Sequence, residues 1–128
     1  MIDHVSVPVA ALAASARFYD GVLGALGYTR LVEREHTIGF GKRYPEFWIN
    51  ARPGLAPAPP GCGAHVCLRA ATPAEVDAFH AAALTLEGAD DGLPGRREHD
   101  DAGQGYYAAF VLDPDGNRIE AVTFVREA

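Results

Sequence analysis

The chain repeats itself, and this repeat constrains its fold more than any other feature of the sequence. Residues 2–27 and 63–88 align without a gap at an offset of 61 positions. Alanine matches carry little weight in an alanine-rich chain, but four other pairs do: His4 with His65, Val5 with Val66, Phe18 with Phe79, and Gly27 with Gly88. A repeat of this length predicts one supersecondary unit used twice.

Each copy begins with a pattern typical of a β-strand. Val5, Val7 and Val9 alternate along one face, which we expect to be buried. His4 and Ser6 fall on the opposite face, and His65 takes the same place in the second copy. The repeat therefore predicts two histidines on the faces that the hydrophobic core does not use.

A helix follows each strand. In the first copy Phe18, Val22 and Leu26 recur with helical spacing, and Gly27 suits the end of the helix. The second helix begins with the capping sequence "TPAE", residues 72–75. Its predicted buried stripe consists of Val76, Phe79, Ala83 and Leu84. We expect His80, at the edge of this stripe, to be partly exposed and not to be a ligand.

After each helix the pattern changes to the alternation of β-strands. The strands of the second copy are joined by "DPDGN", residues 113–117, which has the composition of a tight turn. We predict a single α+β domain over 1–128, with module one at about 1–52, a Pro/Gly linker at 53–63 and module two at about 64–128. Residues 88–105 lack periodicity and predict a solvated connector or, alternatively, a lid.

Composition excludes several classes of function. The net charge of −6 makes nucleic acid an improbable partner, and no stretch is long and apolar enough to span a membrane. No signal peptide is evident, and two cysteines, Cys62 and Cys67, are too few for a disulfide scaffold. We therefore expect a cytoplasmic protein with reduced thiols.

The last strand supplies a possible companion for the two histidines. Glu120 lies between Ile119 and Ala121, and a carboxylate in a buried strand is costly unless it is paired. Two imidazoles and one carboxylate can bind Fe(II), Mn(II), Zn(II) or Ni(II) and leave positions open for substrate. His4, His65 and Glu120 could equally form a hydrogen-bonded trio without an ion.

The chain resembles the vicinal oxygen chelate superfamily, which includes glyoxalase I, extradiol dioxygenases and the fosfomycin- and bleomycin-resistance proteins. The resemblance is carried by "IDHV", "FYDGVLG.LGY", the second "HV" and above all "DPDGNRIE". Within the superfamily it is nearest to an uncharacterised glyoxalase-like branch, through "IGFGKRYPEFWI" and "YYAAFVLDPDG". It implies two βαβββ modules forming a cup-shaped mixed sheet with the helices outside, and metal ligands at His4, His65 and Glu120.

Some positions depart from the superfamily's patterns. Asn50, or Trp48 two residues earlier, stands where glyoxalase I has a further glutamate ligand, so a three-ligand site fits better than a four-ligand site. Phe110 stands where extradiol dioxygenases have a catalytic tyrosine, and Tyr106 is nearby. The candidate substrate-binding residues are Trp48, Asn50, Arg69, His99 and Tyr106.

Two functions are compatible with these residues. The first is a metal-dependent enzyme of the lyase, isomerase, transferase or dioxygenase type, acting on a small molecule whose adjacent oxygens bind the metal. In that enzyme Glu120 would be a ligand first and a base when it detaches. The second is a metal-free protein of the bleomycin-resistance type that sequesters a small molecule. In either case the resemblance makes a homodimer the expected assembly.

Overall fold

The computed structural model describes residues 1–98 and 103–125, and it contains two modules of the same topology. Each module is a strand, a helix and three further strands, so the predicted α+β class with two βαβββ modules is confirmed. The elements of module one are β1 (Val5–Val9), α1 (Leu12–Gly24), β2 (Thr29–Glu33), β3 (Thr37–Gly41) and β4 (Phe47–Ala51). Those of module two are β5 (His65–Arg69), α2 (Pro73–Thr85), β6 (Ala89–Arg96), β7 (Tyr106–Leu112) and β8 (Arg118–Phe124).

The two sheets have equivalent strand orders, β1-β4-β3-β2 and β5-β8-β7-β6. In each sheet the first strand pairs in parallel with the last, and the remaining pairs are antiparallel. This topology places the first and last strands of a module side by side. It therefore brings β5, which carries His65, next to β8, which carries Glu120.

One face of each sheet is covered by its helix. Val7 and Val9 are buried as predicted, and in module two Ile119 and Ala121 of β8 are buried in the core. The two helices also pack against each other, so both modules contribute to one hydrophobic core. The sheet faces turned away from the helices are called here the open face of module one and the open face of module two.

The turn predicted at 113–117 connects the two modules. Asp113 accepts a hydrogen bond from the Tyr19 hydroxyl of α1 at 2.6 Å, and both side chains are buried. Asp115 accepts from the backbone amide of Ala10 at 3.1 Å, and the Asn117 amide donates to the carbonyl of Pro8 at 2.9 Å. Gly116, with a φ of 82°, closes the turn, so this segment joins module two to the first strand and helix of module one.

Three sequence expectations are wrong. Residues 89–96 form β6, where a connector or lid was expected; Gly92 and Gly95 interrupt its pairing with β7 and hide its alternation. Leu84 is 51% exposed, so it does not belong to the buried stripe of α2. His80 is buried, because its Nε2 contacts the Asp90 carboxylate of β6 at 2.8 Å.

The capping prediction for α2 is confirmed. The Thr72 side chain accepts a hydrogen bond from the backbone amide of Glu75, and Pro73 occupies the first turn. Gly27 has a φ of 87° after α1, as expected for a residue that ends a helix. In the described part of the chain no helix has both the length and the apolar character that crossing a membrane requires.

Candidate functional site

Glu120 is a buried carboxylate on the open face of module two. It lies in β8 between its register partners Cys67 of β5 and Phe110 of β7, and it is 2% exposed. Its Oε1 is 3.1 Å from Nε2 of His65, and its Oε2 accepts a hydrogen bond from the Tyr106 hydroxyl. Both carboxylate oxygens are therefore satisfied, which explains how the strand tolerates a charge at this depth.

The strand register explains why these side chains meet. Alternation along β5 puts His65, Cys67 and Arg69 on the open face, in line with Glu120. Tyr106 lies further along β7, opposite Phe124, and packs edge-on against that ring at 5.5 Å. Its hydroxyl reaches Glu120 past Ala108, whose small side chain leaves the space between them open.

The carboxylate changes the acidity of its neighbours. The pKa of Tyr106 is raised, first by loss of hydration and then by its hydrogen bond to Glu120. Desolvation, reinforced by the negative charge of Glu120, raises the pKa of the Cys67 thiol to about 12. Both groups keep their protons at neutral pH, so Tyr106 acts as a hydrogen-bond donor and Cys67 is not a thiolate nucleophile.

His4 lies elsewhere, on the open face of module one. Its Nδ1 is 2.6 Å from Asp3, and its side chain is 53% exposed. Asp3 also accepts a hydrogen bond from the Tyr44 hydroxyl at 3.0 Å. Across residues 1–98 and 103–125 no three His, Cys, Asp or Glu side chains are close enough to hold a metal ion. The fold thus brings together two of the three predicted ligands, His65 and Glu120, within one chain.

The other candidate residues are divided between the two modules. Trp48 and Asn50 line a cavity of about 300 Å³ on the open face of module one, together with His4. Arg69 stacks on Phe124 at 4.7 Å, at the far end of the module-two face. His99 lies outside the described residues.

Sequence reasoning missed three residues of these faces. Cys67 adjoins Glu120, Arg97 stacks on the Phe110 ring at 5.1 Å, and Arg34 stacks on Trp48 at 5.4 Å. The alternation of β5 could have pointed to Cys67. Arg97 follows the bulged strand β6, and Arg34 follows the end of β2. At such positions the hydrophobic periodicity of the sequence does not indicate which way a side chain points.

The distance between His65 and Glu120 is compatible with a shared ion as well as with a direct contact. Two atoms bound to one divalent ion at about 2.1 Å lie about 3.0–3.4 Å apart. The observed 3.1 Å falls in this range, and an imidazole with a carboxylate is a donor set that Fe(II), Mn(II), Ni(II) and Zn(II) accept. Two donors from one chain fit part of a metal site; a three-donor site would need a further ligand beyond His65 and Glu120.

Comparison with known proteins places these faces in a family context. The sequence model of the Glyoxalase/Bleomycin resistance protein/Dioxygenase superfamily matches residues 1–121. The structure is similar to a glyoxalase/bleomycin resistance protein from Albidiferax ferrireducens T118, with 34% identity, 94% of this chain and 96% of that chain covered, and a TM-score of 0.80.

More distant structures share the fold alone. A glyoxalase/bleomycin resistance protein/dioxygenase family enzyme from Burkholderia phytofirmans PsJN is 14% identical over 97% of this chain and 98% of that chain, with a TM-score of 0.70. The E144Q mutant of glyoxalase I from Zea mays is 19% identical, with a TM-score of 0.72; the match covers 93% of this chain and 45% of the maize chain. The comparison with curated proteins found no match.

Proposed function

Because this chain belongs to the glyoxalase/bleomycin resistance protein/dioxygenase superfamily, we propose that it is a divalent-metal-dependent enzyme. Its substrate is a small molecule that presents two adjacent oxygens to the ion. The observation that carries this proposal is the contact between the buried Glu120 and the half-exposed His65 on an open sheet face. Such a pair supplies two donors of the 2-His-1-carboxylate set.

The third donor is His4 of the partner subunit. His4 and His65 are equivalent by the repeat, and each lies on the open face of its own module. If module one of one copy faces module two of another, a two-fold axis generates two identical sites, each with three donors. The homodimer is thus part of the proposed function, and each copy contributes to both sites. We place it in the cytoplasm, where Cys62 and Cys67 remain free thiols.

The ion, when bound, polarises the substrate oxygens and stabilises negative charge that develops on them. The chain's own residues prepare the site. The Tyr106 hydroxyl donates a hydrogen bond to one oxygen of Glu120, which fixes the orientation of the carboxylate. Phe110 lies beside the imidazole of His65, with its ring centre 6.2 Å from that of His65. Glu120 is the group that can accept a substrate proton if it detaches.

A metal-free binding protein is the second candidate. It is favoured by one observation, that both oxygens of Glu120 already have hydrogen-bonding partners within the chain. A satisfied carboxylate needs no cation to remain buried. In this case the open faces would hold a small molecule by contact alone, without chemistry.

Metal content separates the two candidates. Untagged protein purified without chelator is analysed for Fe, Mn, Ni and Zn, beside His65→Ala and the control His36→Ala, which alters an exposed histidine of module one. We expect near-stoichiometric metal in the wild type and His36→Ala, and loss of metal in His65→Ala. Absence of metal from the wild type, even after incubation with each ion, would refute the enzyme proposal and favour the binding protein.

A further inference from the structure

Among the residues that the structure describes, those lining the cavity on the open face of module one include no carboxylate, although the chain is acidic overall. Its volume of about 300 Å³ is at the small end of the range for ligand pockets. The lining residues are His4, Ser6, Arg34, Thr37, Tyr44, Pro45, Trp48 and Asn50. Arg34 is the only one of them that carries a permanent positive charge.

The floor of the cavity is the indole ring of Trp48, which has a fixed position. Its register partner on β3 is Gly39, and a Cβ atom there would come within 3.0 Å of the indole ring and of Pro45. A glycine in the interior of a strand weakens the strand unless another group needs the space. Gly39 therefore lets the indole lie close to the backbone of the sheet.

Arg34 covers the Trp48 ring. The central carbon of its guanidinium is 5.4 Å from the ring centre, a cation–π contact. A guanidinium can donate two parallel hydrogen bonds to one carboxylate. The contact with Trp48 thus holds this donor group beside the cavity.

Within the described residues Arg34 has no ion pair, unlike Arg30 of the same hairpin. Arg30 donates to both oxygens of Asp20 at 2.7 and 2.6 Å and to Glu33 at 2.9 Å. Four carboxylates neighbour lining residues in the sequence, and each already has another contact. Asp3 accepts hydrogen bonds from His4 and Tyr44, and Glu33 accepts one from Arg30. Glu35 lies 3.7 Å from His36, and Glu46 accepts a hydrogen bond from Tyr28. Within the described residues, none of these carboxylates forms an ion pair with Arg34.

Neutral donors complete the lining. The Asn50 side chain donates to the hydroxyl of Ser6, and that hydroxyl keeps its own proton for another acceptor. Thr37 adds a second hydroxyl beside them. A guanidinium held by a cation–π contact and surrounded by neutral donors is a site for a planar anion such as a carboxylate.

We propose that Arg34, held over the Trp48 ring, binds the carboxylate of a small organic acid, and that this acid is the substrate. The assignment of the cavity to the substrate rests on the proposed function, because His4 lines the cavity and is the residue proposed to complete the metal site of the partner subunit. The substrate class is then a small carboxylic acid with adjacent oxygens elsewhere in the molecule. The anion site itself exists without metal.

Trp48 is the only tryptophan of the chain, so its fluorescence reports directly on this cavity. Chelator-treated protein is titrated in low-salt buffer with benzoate and with benzamide, which has nearly the same shape but no charge. We expect a saturable change in Trp48 emission with benzoate at millimolar concentration and a much weaker response to benzamide. Arg34→Gln should weaken benzoate binding at least about tenfold, because it removes a charged two-point contact.

Two further variants separate anion recognition from folding. Arg34→Lys keeps the charge but loses the planar fork, so its affinity should lie between those of the wild type and Arg34→Gln. Arg17→Gln removes an exposed arginine of α1 that is not part of this cavity and should bind benzoate like the wild type.

The inference is overturned by any of three results: equal binding of benzamide, unchanged affinity in Arg34→Gln, or no binding of benzoate. None of these depends on metal, so they leave the metal-content experiment to decide the proposed function. Conversely, if the wild type binds no metal but binds benzoate through Arg34, the anion site is supported and the proposed metal-dependent enzyme is refuted.

Discussion

The hydrogen bond between Tyr19 and Asp113 links the two modules, and Tyr19→Phe tests its contribution to stability. The substitution removes one hydroxyl donor and keeps the ring, which packs against Phe18 and Phe47 at centre distances of 5.0 Å. Asp113 then loses one of four hydrogen bonds, since its other donors are the Asn117 side chain and the backbone amides of Asp115 and Asn117.

A buried hydrogen bond to a charged group contributes about 1.5–3 kcal/mol to the free energy of unfolding. For a chain of this size the variant should therefore melt about 5–12 °C below the wild type. The matched control is Tyr107→Phe, whose hydroxyl contacts Asp77 at 2.7 Å on an exposed part of α2. That change should cost less than about 1 kcal/mol.

The cost of Tyr19→Phe should also depend on pH. Burial raises the pKa of Asp113, and the hydrogen bond from Tyr19 opposes that rise. Removing the bond raises the pKa of Asp113 further, so the Asp113 carboxyl group of the folded variant stays protonated to a higher pH than that of the wild type. The variant's loss of stability is then largest at neutral pH, where the carboxylate is charged, and smaller in acid. Urea unfolding at several pH values measures this; a cost below that of Tyr107→Phe, or one that grows in acid, would refute the reasoning.

Two further predictions follow from other contacts. Gly39→Ala should displace the Trp48 ring, change its fluorescence and lower stability by about 1–3 kcal/mol, whereas Gly95→Ala, which has open space around its Cβ position, should change neither by a comparable amount. The pKa of Asp90 is lowered from 3.8, and its contact with His80 is the largest cause. The stabilisation that this contact provides is therefore present above about pH 4 and is lost as the pH falls through the folded-state pKa of Asp90. In His80→Phe the free energy of unfolding should therefore fall less between pH 6 and pH 3 than in the wild type. Urea unfolding of both proteins over this range measures the difference, and the same pH dependence in both would contradict the role given to the contact between His80 and Asp90.

The sequence predicted what depends on local pattern. The repeat and the alternation of Val5, Val7 and Val9 indicated the modules and the faces of their strands, which the structure confirms. The strand β6 was not predicted, because Gly92, Pro94 and Gly95 remove the alternation that marks a strand. The burial of His80 depends on Asp90 of β6, so it could not be expected while that strand was taken for a connector.

The candidate site was predictable in part for the same reason. His65 and Glu120 come together because parallel pairing aligns β5 with β8, and the family resemblance implied that both residues belong to one site. The bond from Tyr106 to Glu120 depends on the register of β7 against β8, which no local pattern sets. The motif at 113–117 was predicted only as a turn, and its role in joining the modules became visible through its contact with α1.

The measurement that tests the proposed intersubunit site most directly is the metal content of a mixed dimer. His4→Ala and Glu120→Gln are co-expressed with different tags, and the dimer that carries both tags is purified. One of its two sites should combine His65 and Glu120 of the first chain with the intact His4 of the partner subunit, while the other lacks both His4 and Glu120.

The account predicts about one ion per mixed dimer, half of the wild-type content, and almost none in either variant alone. A mixed dimer without metal, in a protein whose wild type binds it, would contradict a site shared between subunits. Full metal content in His4→Ala alone would likewise show that His4 is not a ligand.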